Sequence, residues 1–203
     1  MTIHTDIHLY LASRSPRRRA LLEQIGLRVA LIDGDTDERR QPGESPKDYV
    51  ARVAKEKARL GWTRLPAGEQ RPVLAADTAV VLGDRTLGKP SDRESARDML
   101  RALSGRAHRV LTAVALIADG RESSDLSESR VTFRALTESE IDAYWATGEP
   151  HDKAGAYAIQ GHAALFVTEL HGSYSGVMGL PLFETGRLLE RVGIRAIDLR
   201  SNG

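Results

Sequence analysis

The sequence predicts an α/β fold organised around a mixed β-sheet. Three observations point there. Short apolar runs of strand length alternate with longer segments of helical period, the pattern of chains that pack helices on a sheet. The helical segments open on capping residues, Ser-Pro or Ser/Thr-x-x-Glu, and close on glycine. Two of the apolar runs are joined by Asp119-Gly120, a hairpin signal, so part of the sheet is antiparallel.

The elements follow in order. Residues 7–12 read as a short buried strand. Ser15 suits an N-cap and Pro16 the first helical position, so a helix follows, with Leu21, Leu22 and Ile25 inward and Gly26 ending it. Residues 27–32 form a second strand. Ser45-Pro46 repeats the device and opens a helix to about residue 60, with Tyr49, Val50, Val53 and Ala54 inward. Val73–Leu82 is the most apolar strand, interrupted by Asp77-Thr78, and Gly83-Asp84 is a turn. Ser91-Asp92-Arg93-Glu94 reads as a capping box. Its helix carries Ala96, Met99, Leu100 and Leu103 on one face and stops at Gly105. Residues 108–118 are a strand, and residues 126–133 return from the Asp119-Gly120 turn. Thr137-Glu138-Ser139-Glu140 is a second capping box, for a helix to about residue 147. Residues 163–170 are a strand, and residues 181–192 a closing helix ended by Gly193.

A chain of 203 residues, 41% hydrophobic and 28% charged, buries a proper core in one domain or two small lobes. No repeat or long linker divides it. No apolar run reaches the roughly 18 residues of a membrane span, and the polar opening at residues 1–8, with Asp6, does not read as a signal peptide. Cysteine is absent, which excludes disulfides and thiolate metal sites and points to the cytoplasm. A net charge of +1 gives no bulk attraction to nucleic acid or an anionic membrane, so any anion site is local. The six histidines show no metal spacing and read as surface or packing residues.

Ser13-Arg14-Ser15-Pro16-Arg17-Arg18-Arg19 lies between the first strand and the first helix. Arginines in a first turn oppose the positive end of the helix dipole, at a cost of roughly 0.3–1 kcal/mol each when exposed. A bound phosphate, held by backbone amides, serine hydroxyls and guanidiniums, reverses that sign. The other reading is a solvated arginine cluster.

Asp77 sits mid-strand in apolar company, where an unpaired charge is expensive. It is either a capped aspartate at a bulge or strand end, or a general base or metal ligand. A hard cation is typically held by one or two carboxylates plus phosphate oxygens, and Asp37-Glu38 offers a second carboxylate. Only five of the 29 basic residues are lysine: Lys47, Lys55, Lys57, Lys89 and Lys153. A compact ammonium does what the wide guanidinium fork cannot, so these positions carry weight. Lys57, one turn from its helix end, also reads as dipole compensation. Gln160 has a donor and an acceptor, as a nucleobase edge requires. The glycine-spaced stretches 155–161 and 172–182 suit close backbone approach to a ligand or tight packing.

These residues, in this order, resemble the Maf family of nucleotide pyrophosphatases. The matching segments are Ala12-Ser13-Arg14-Ser15-Pro16-Arg17-Arg18, Ala76-Asp77-Thr78, Gly88-Lys89-Pro90, Leu103-Ser104-Gly105, Asp152-Lys153-Ala154-Gly155-Ala156-Tyr157-Ala158-Ile159-Gln160-Gly161 and Gly179-Leu180-Pro181. They run from about residue 8 to 193, so the resemblance covers one domain of nearly the whole chain. Lys153 and the Ile159-Gln160-Gly161 ending look like the dTTP/UTP branch; the branch that prefers 7-methyl-GTP usually lacks this lysine. The resemblance implies an elongated mixed sheet flanked by helices, two lobes with a cleft, a divalent metal and a frequent homodimer. It implies that Asp77 is the catalytic proton acceptor, and that Arg18, Thr78 and Gln160 set nucleotide preference. Arg17, Lys57, Lys89, Lys153 and Glu38 match polar cleft positions. Two departures stand out: Asp37 where a glutamate pair is familiar, and Arg14 where a small residue is common.

The expected reaction is metal-assisted hydrolysis of a nucleoside triphosphate to the monophosphate and pyrophosphate. Mg²⁺ or Mn²⁺ sits on Asp77 and Glu38, Ser13 and Ser15 line the phosphate turn, and Arg17, Lys57 and Lys89 screen the leaving pyrophosphate. Two alternatives are a Maf enzyme with another base preference, such as 7-methyl-GTP, and a non-enzymatic nucleotide-binding regulator of cell division.

Overall fold

The computed structural model describes residues 7–199, so the expectation for the first six residues of the polar opening lies outside the described residues. Among the described residues, seven strands form one sheet: β1 (Leu9–Leu11), β2 (Val29–Leu31), β3 (Val73–Leu82), β4 (Arg85–Leu87), β5 (Ala107–Ala118), β6 (Arg121–Phe133) and β7 (Val167–His171). Their order is β2-β1-β3-β5-β6-β7, with β4 paired to β3. The helices are α1 (Pro16–Gln24), α2 (Pro46–Thr63), α3 (Arg93–Leu103), α4 (Glu138–Ala146), α5 (Tyr174–Met178) and α6 (Leu182–Glu190). The sheet is mixed, as expected: β1 runs parallel to β2 and β3, while β3–β4 and β6–β7 are antiparallel.

The chain divides into two compact units. The first runs to Asp77 and includes Thr112–Leu126 and the stretch from Gly179 onward; the second is Thr78–Leu111 with Ser127–Met178. Three of the four boundaries fall inside β3, β5 and β6, and the fourth follows α5 at Met178.

In the first unit, β1 is central. Leu9 pairs with Val29 and Leu11 with Leu31 on one side, and Tyr10 pairs with Val73 on the other. Parallel neighbours need crossovers, and α1 and α2 supply them. Val50, Val53 and Ala54 of α2 are fully buried, along with Leu9, Leu11 and Val73. Gly61 explains how closely α2 lies on the sheet. A methyl there would stand 2.9 Å from Val73 and 3.0 Å from Ala12, closer than side chains pack. The helix therefore runs on to Thr63 rather than ending near residue 60, and Lys57 becomes a mid-helix residue.

The second unit has its own core, with Leu87, Leu100, Leu103, Phe133, Ile141 and Tyr157 among its buried residues. Phe133 meets His108, Tyr157 and Phe166 edge-on, at centroid distances of 5.1, 4.9 and 6.0 Å. His108 donates to or accepts from the Tyr157 hydroxyl at 2.9 Å, and burial pulls its pKa down to about 4, so it is a neutral packing residue as expected.

Several local expectations change. Ser15 occupies the N-cap of α1, but its side chain makes no capping bond. Asp92, not Ser91, caps α3 by accepting from the Ser95 amide at 2.8 Å. The box at Thr137 and Glu140 is present in full. Residues 162–166 are a 3₁₀ turn, so β7 begins only at Val167. β6 starts five residues early, at Arg121. Its polar opening reads as loop, but Asp119 and Gly120 both take positive φ, 50° and 71°, and that tight turn carries pairing straight on. β4 and α5 are too short to show in the sequence pattern.

Candidate active site

The arginine turn is built on Ser13. Its hydroxyl oxygen accepts from the Ser15 amide and from Arg18 Nη1, each at 3.2 Å. Arg18 Nε donates to the Gly179 carbonyl at 2.7 Å, so this guanidinium is held at both ends. Burial pulls the Arg18 pKa below its usual value, Asp77 and Glu38 pull it back up, and Arg17 adds to the depression. Arg17, Arg18 and the two carboxylates therefore share one electrostatic field. Arg14 and Arg19 do not join them. Arg14 pairs with Asp35 at 2.6 Å and Arg19 with Glu23 at 2.6 Å, both in solvent. Arg19 and Arg14 both point outward.

Lys57 is the hub. Its residue is 7% exposed, and its ammonium lies 2.8 Å from Asp77 Oδ1 and 2.5 Å from Glu38 Oε1. The dipole-compensation reading is replaced: a buried ammonium between two carboxylates is an ion-pair centre, not a solvated helix end. Asp77 is 5% exposed, and its second oxygen, Oδ2, is buried with no hydrogen-bond partner. Burial pushes its carboxyl above the ordinary value; Lys57 and Arg18 oppose this without cancelling it.

Glu38 reaches Lys57 from the loop between β2 and α2. Two residues to which the sequence pattern gave no such role hold that loop. Tyr49 donates to the Glu38 carbonyl at 2.8 Å. Arg52 donates to the Arg39 carbonyl at 3.0 Å and grips the Glu44 carboxylate at 2.7 and 3.0 Å. Tyr49 read as a core residue, and Arg52 was one arginine among many; neither has a sequence signal for this role. Asp37 turns away to Arg39, whose hydrogen bonds hold its carboxyl down at about 2. Of the acidic pair, only Glu38 meets Lys57.

The first unit thus gathers Ser13, Arg18, Glu38, Lys57 and Asp77. The remaining residues belong to the second unit. Thr78 follows Asp77 on β3 and is half-buried. Lys89 is exposed, in the stretch whose Gly88 carbonyl accepts from the Gly155 amide at 2.9 Å. That bond ties the Lys89 and Lys153 segments together. Lys153 pairs with Asp152, and its side chain is only 14% exposed. Gln160 is exposed on a turn.

The family of Maf-like proteins matches residues 8–192. The chain belongs to that family. Its Maf relatives include the dTTP/UTP pyrophosphatase of Alkalilimnicola ehrlichii, 57% identical over 190 residues, covering 92% of this chain and 94% of that one. The dTTP/UTP pyrophosphatase of Nitrosomonas europaea is 54% identical, covering 92% and 95%. That of Methylococcus capsulatus is 54% identical, covering 93% of each chain. Among solved structures, the Staphylococcus aureus Ham1 protein gives a TM-score of 0.43 at 11% identity over 91% of this chain and 96% of that one, a likeness too loose to bear on function. Among the described residues of this Maf-like protein, no helix is long and apolar enough to cross a membrane.

Proposed function

We propose that this Maf-like protein is a nucleoside triphosphate pyrophosphatase that hydrolyses dTTP and UTP to the monophosphate and pyrophosphate. Its relatives at 57% and 54% identity carry that activity in their names. One observation carries the chemistry: Asp77 is a buried carboxylate with one oxygen on Lys57 and the other without a donor. Leaving such an atom unsatisfied costs about 1–3 kcal/mol. A perturbed, half-satisfied carboxylate is characteristic of a reacting group.

In this reading Asp77 Oδ2 accepts the proton of the attacking water. Its raised pKa makes it a stronger base than an exposed aspartate. The water oxygen bonds to the α-phosphorus, the bond to the α–β bridging oxygen breaks, and pyrophosphate leaves. Lys57 fixes Asp77 Oδ1 so that Oδ2 stays oriented. Ser13, Ser15, Arg17 and Arg18, with the amides that open α1, bind phosphate oxygens. Lys89 and Lys153 offset the charge of the leaving pyrophosphate. Thr78 and Gln160 read the nucleoside, the amide of Gln160 matching both the donor and the acceptor of a thymine or uracil edge.

A divalent cation, Mg²⁺ or Mn²⁺, is part of the proposal. The donor set fits: the Asp77 and Glu38 carboxylates converge, each with an oxygen within 2.8 Å of the same ammonium, and Asp77 Oδ2 has two lone pairs, so holding the cation would leave one for the proton of the water. Among the described residues there is no group of three His, Cys, Asp or Glu side chains placed for a metal, which leaves further positions to phosphate oxygens and water. When bound, the cation supplies charge neutralisation and Lewis-acid polarisation of the phosphate oxygens. The proposal extends to a cytoplasmic homodimer. The lack of cysteine suits a reducing compartment, and exposed Leu165 and Phe183 are side chains a second copy would cover.

The deciding experiment incubates the purified chain with a panel of triphosphates, with Mg²⁺ or Mn²⁺ and with chelator, and separates pyrophosphate from phosphate release. Pyrophosphate from dTTP and UTP, lost with chelator and reduced about 100-fold or more in Asp77→Asn, is expected. Phosphate release overturns the cleavage position, and full activity of Asp77→Asn overturns the role of that residue.

A further inference from the structure

The turn that carries Gln160 is held by a polar clamp that the reaction chemistry does not use. Gly148, at a φ of 75°, bends the chain sharply after α4 and delivers Glu149 beneath the turn. Tyr144, on the last turn of α4, donates its hydroxyl hydrogen to Glu149 Oε1 at 2.6 Å. The same hydroxyl oxygen accepts from the Ala158 amide at 3.0 Å. Glu149 Oε2 accepts from the His162 amide at 3.0 Å and lies 3.2 Å from His162 Nδ1, while Oε1 lies 3.5 Å from the Ala163 amide. Thus Ala158, before Gln160, rests on Tyr144, and His162 and Ala163, after it, rest on Glu149. Within the turn, the Gly161 amide closes onto the Ala158 carbonyl at 3.0 Å.

Two details show that the clamp is built for this turn. A methyl at Gly161 would overlap the Glu149 carboxylate, so the carboxylate is seated directly against the backbone beside Gln160. Burial alone would raise the Glu149 carboxyl, yet the hydrogen bonds from Tyr144 and His162 more than offset it, and it stays ionised. Burial and Glu149 both push the Tyr144 phenol up, so it remains the donor. An ionised acceptor, a protonated donor and the turn's amides make a closed, charge-assisted network. Gln160 itself stays exposed. Its side chain is free to meet a ligand while its backbone is not free to move.

We infer that Tyr144 and Glu149 are positioning residues for base recognition: they hold the Ala158–Gly161 turn so that the Gln160 amide presents to a pyrimidine edge carrying one carbonyl acceptor next to one N–H donor. The inference rests on the proposed pyrophosphatase activity and on Gln160 as the base reader. With the turn held, the Gln160 side chain starts from one position, so its amide meets the base edge in one register instead of many. The clamp therefore acts on the choice between uracil or thymine and cytosine, whose edges differ in just those groups.

The test measures kcat and KM for UTP and CTP in wild type, Gln160→Ala, Glu149→Ala, Tyr144→Phe and the double variant Glu149→Ala/Gln160→Ala. Thermal melts run alongside. The expected result is a wild-type preference for UTP that falls about tenfold in Gln160→Ala and in Glu149→Ala. The change appears mainly in KM, and Glu149→Gln recovers part of it. The double variant discriminates no worse than either single one, because both remove the same interaction. Tyr144→Phe keeps its ring in the core and repeats the loss should Glu149→Ala fold poorly. Additive losses in the double variant, or full discrimination in both Glu149→Ala and Tyr144→Phe, overturn the positioning role. A wild type that hydrolyses neither nucleotide fails the function itself, a separate and recognisable result.

Discussion

Asp77 and Gln160 are held by opposite means. Asp77 is sunk in a strand and held by charge: an ammonium on one oxygen, guanidinium fields beyond, and no donor on the other oxygen. Gln160 is exposed, and it is held through its backbone by a network that leaves its side chain alone. The difference follows from the tasks proposed for them. A proton acceptor gains strength from desolvation and must keep one lone pair unspent. A reader of bases needs access, and its precision comes from a stiff support rather than from contacts of its own.

The largest expected effect comes from breaking the charge centre. In Lys57→Met the Asp77 and Glu38 carboxylates lose their shared cation, and removing one partner of a buried pair costs about 3–5 kcal/mol. Urea unfolding at neutral pH reads it. The loss shrinks at acid pH, where Asp77 is protonated, and adding Asp77→Asn recovers part of it through coupling. A neutral Lys57→Met would show that the centre is solvated, and the contrast with Gln160 would collapse.

A smaller effect, of defined sign, comes from Asp77→Asn. Burial raises the folded-state pKa of Asp77. The stability that a raised acid contributes is fully present below its unfolded value of about 3.9 and is lost as pH rises through the folded value. Wild type therefore loses stability relative to Asp77→Asn as pH rises above about 4 and through the raised folded value, because only wild type must ionise a buried acid. Melting of the pair across that range checks it; a difference independent of pH, or one of opposite sign, removes the raised pKa from the account. The smallest effect sharpens the contrast from the other side. Gln160→Ala is expected to change stability by less than about 0.5 kcal/mol, since an exposed side chain supports nothing. A larger loss in denaturant would mean that the amide is structural.

Much of the first unit is legible from local rules. Pro16 and Pro46 open their helices where helix-start chemistry puts them. Asp77 in an apolar strand announces a partnered charge, and Arg18, rather than Arg19, proves to face it. Lys57 was legible as a rare lysine and a family cleft position but not as a buried ion-pair centre, because its helix runs on three residues past the expected end. The cause is Gly61, which lets α2 settle closely on the sheet, and a contact of that kind leaves no trace in hydrophobic period. The second unit is less readable. Serine-, glycine- and alanine-rich stretches form α5 and several 3₁₀ turns, because tertiary hydrogen bonds, such as that from the Ser173 amide to Ser129 Oγ, override weak propensities.

By itself, the sequence determined the α/β class, most element starts, family membership and the residue types of the site. Each of these is set by neighbours along the chain or by motif spacing. Only the tertiary structure decided which acid of Asp37-Glu38 meets Lys57, which Asp77 oxygen lacks a donor, and that Tyr144 and Glu149 grip the Gln160 turn. Those outcomes depend on groups 11 to 20 residues apart arriving within hydrogen-bond distance. Packing alone brings them there, and composition and periodicity carry no record of it.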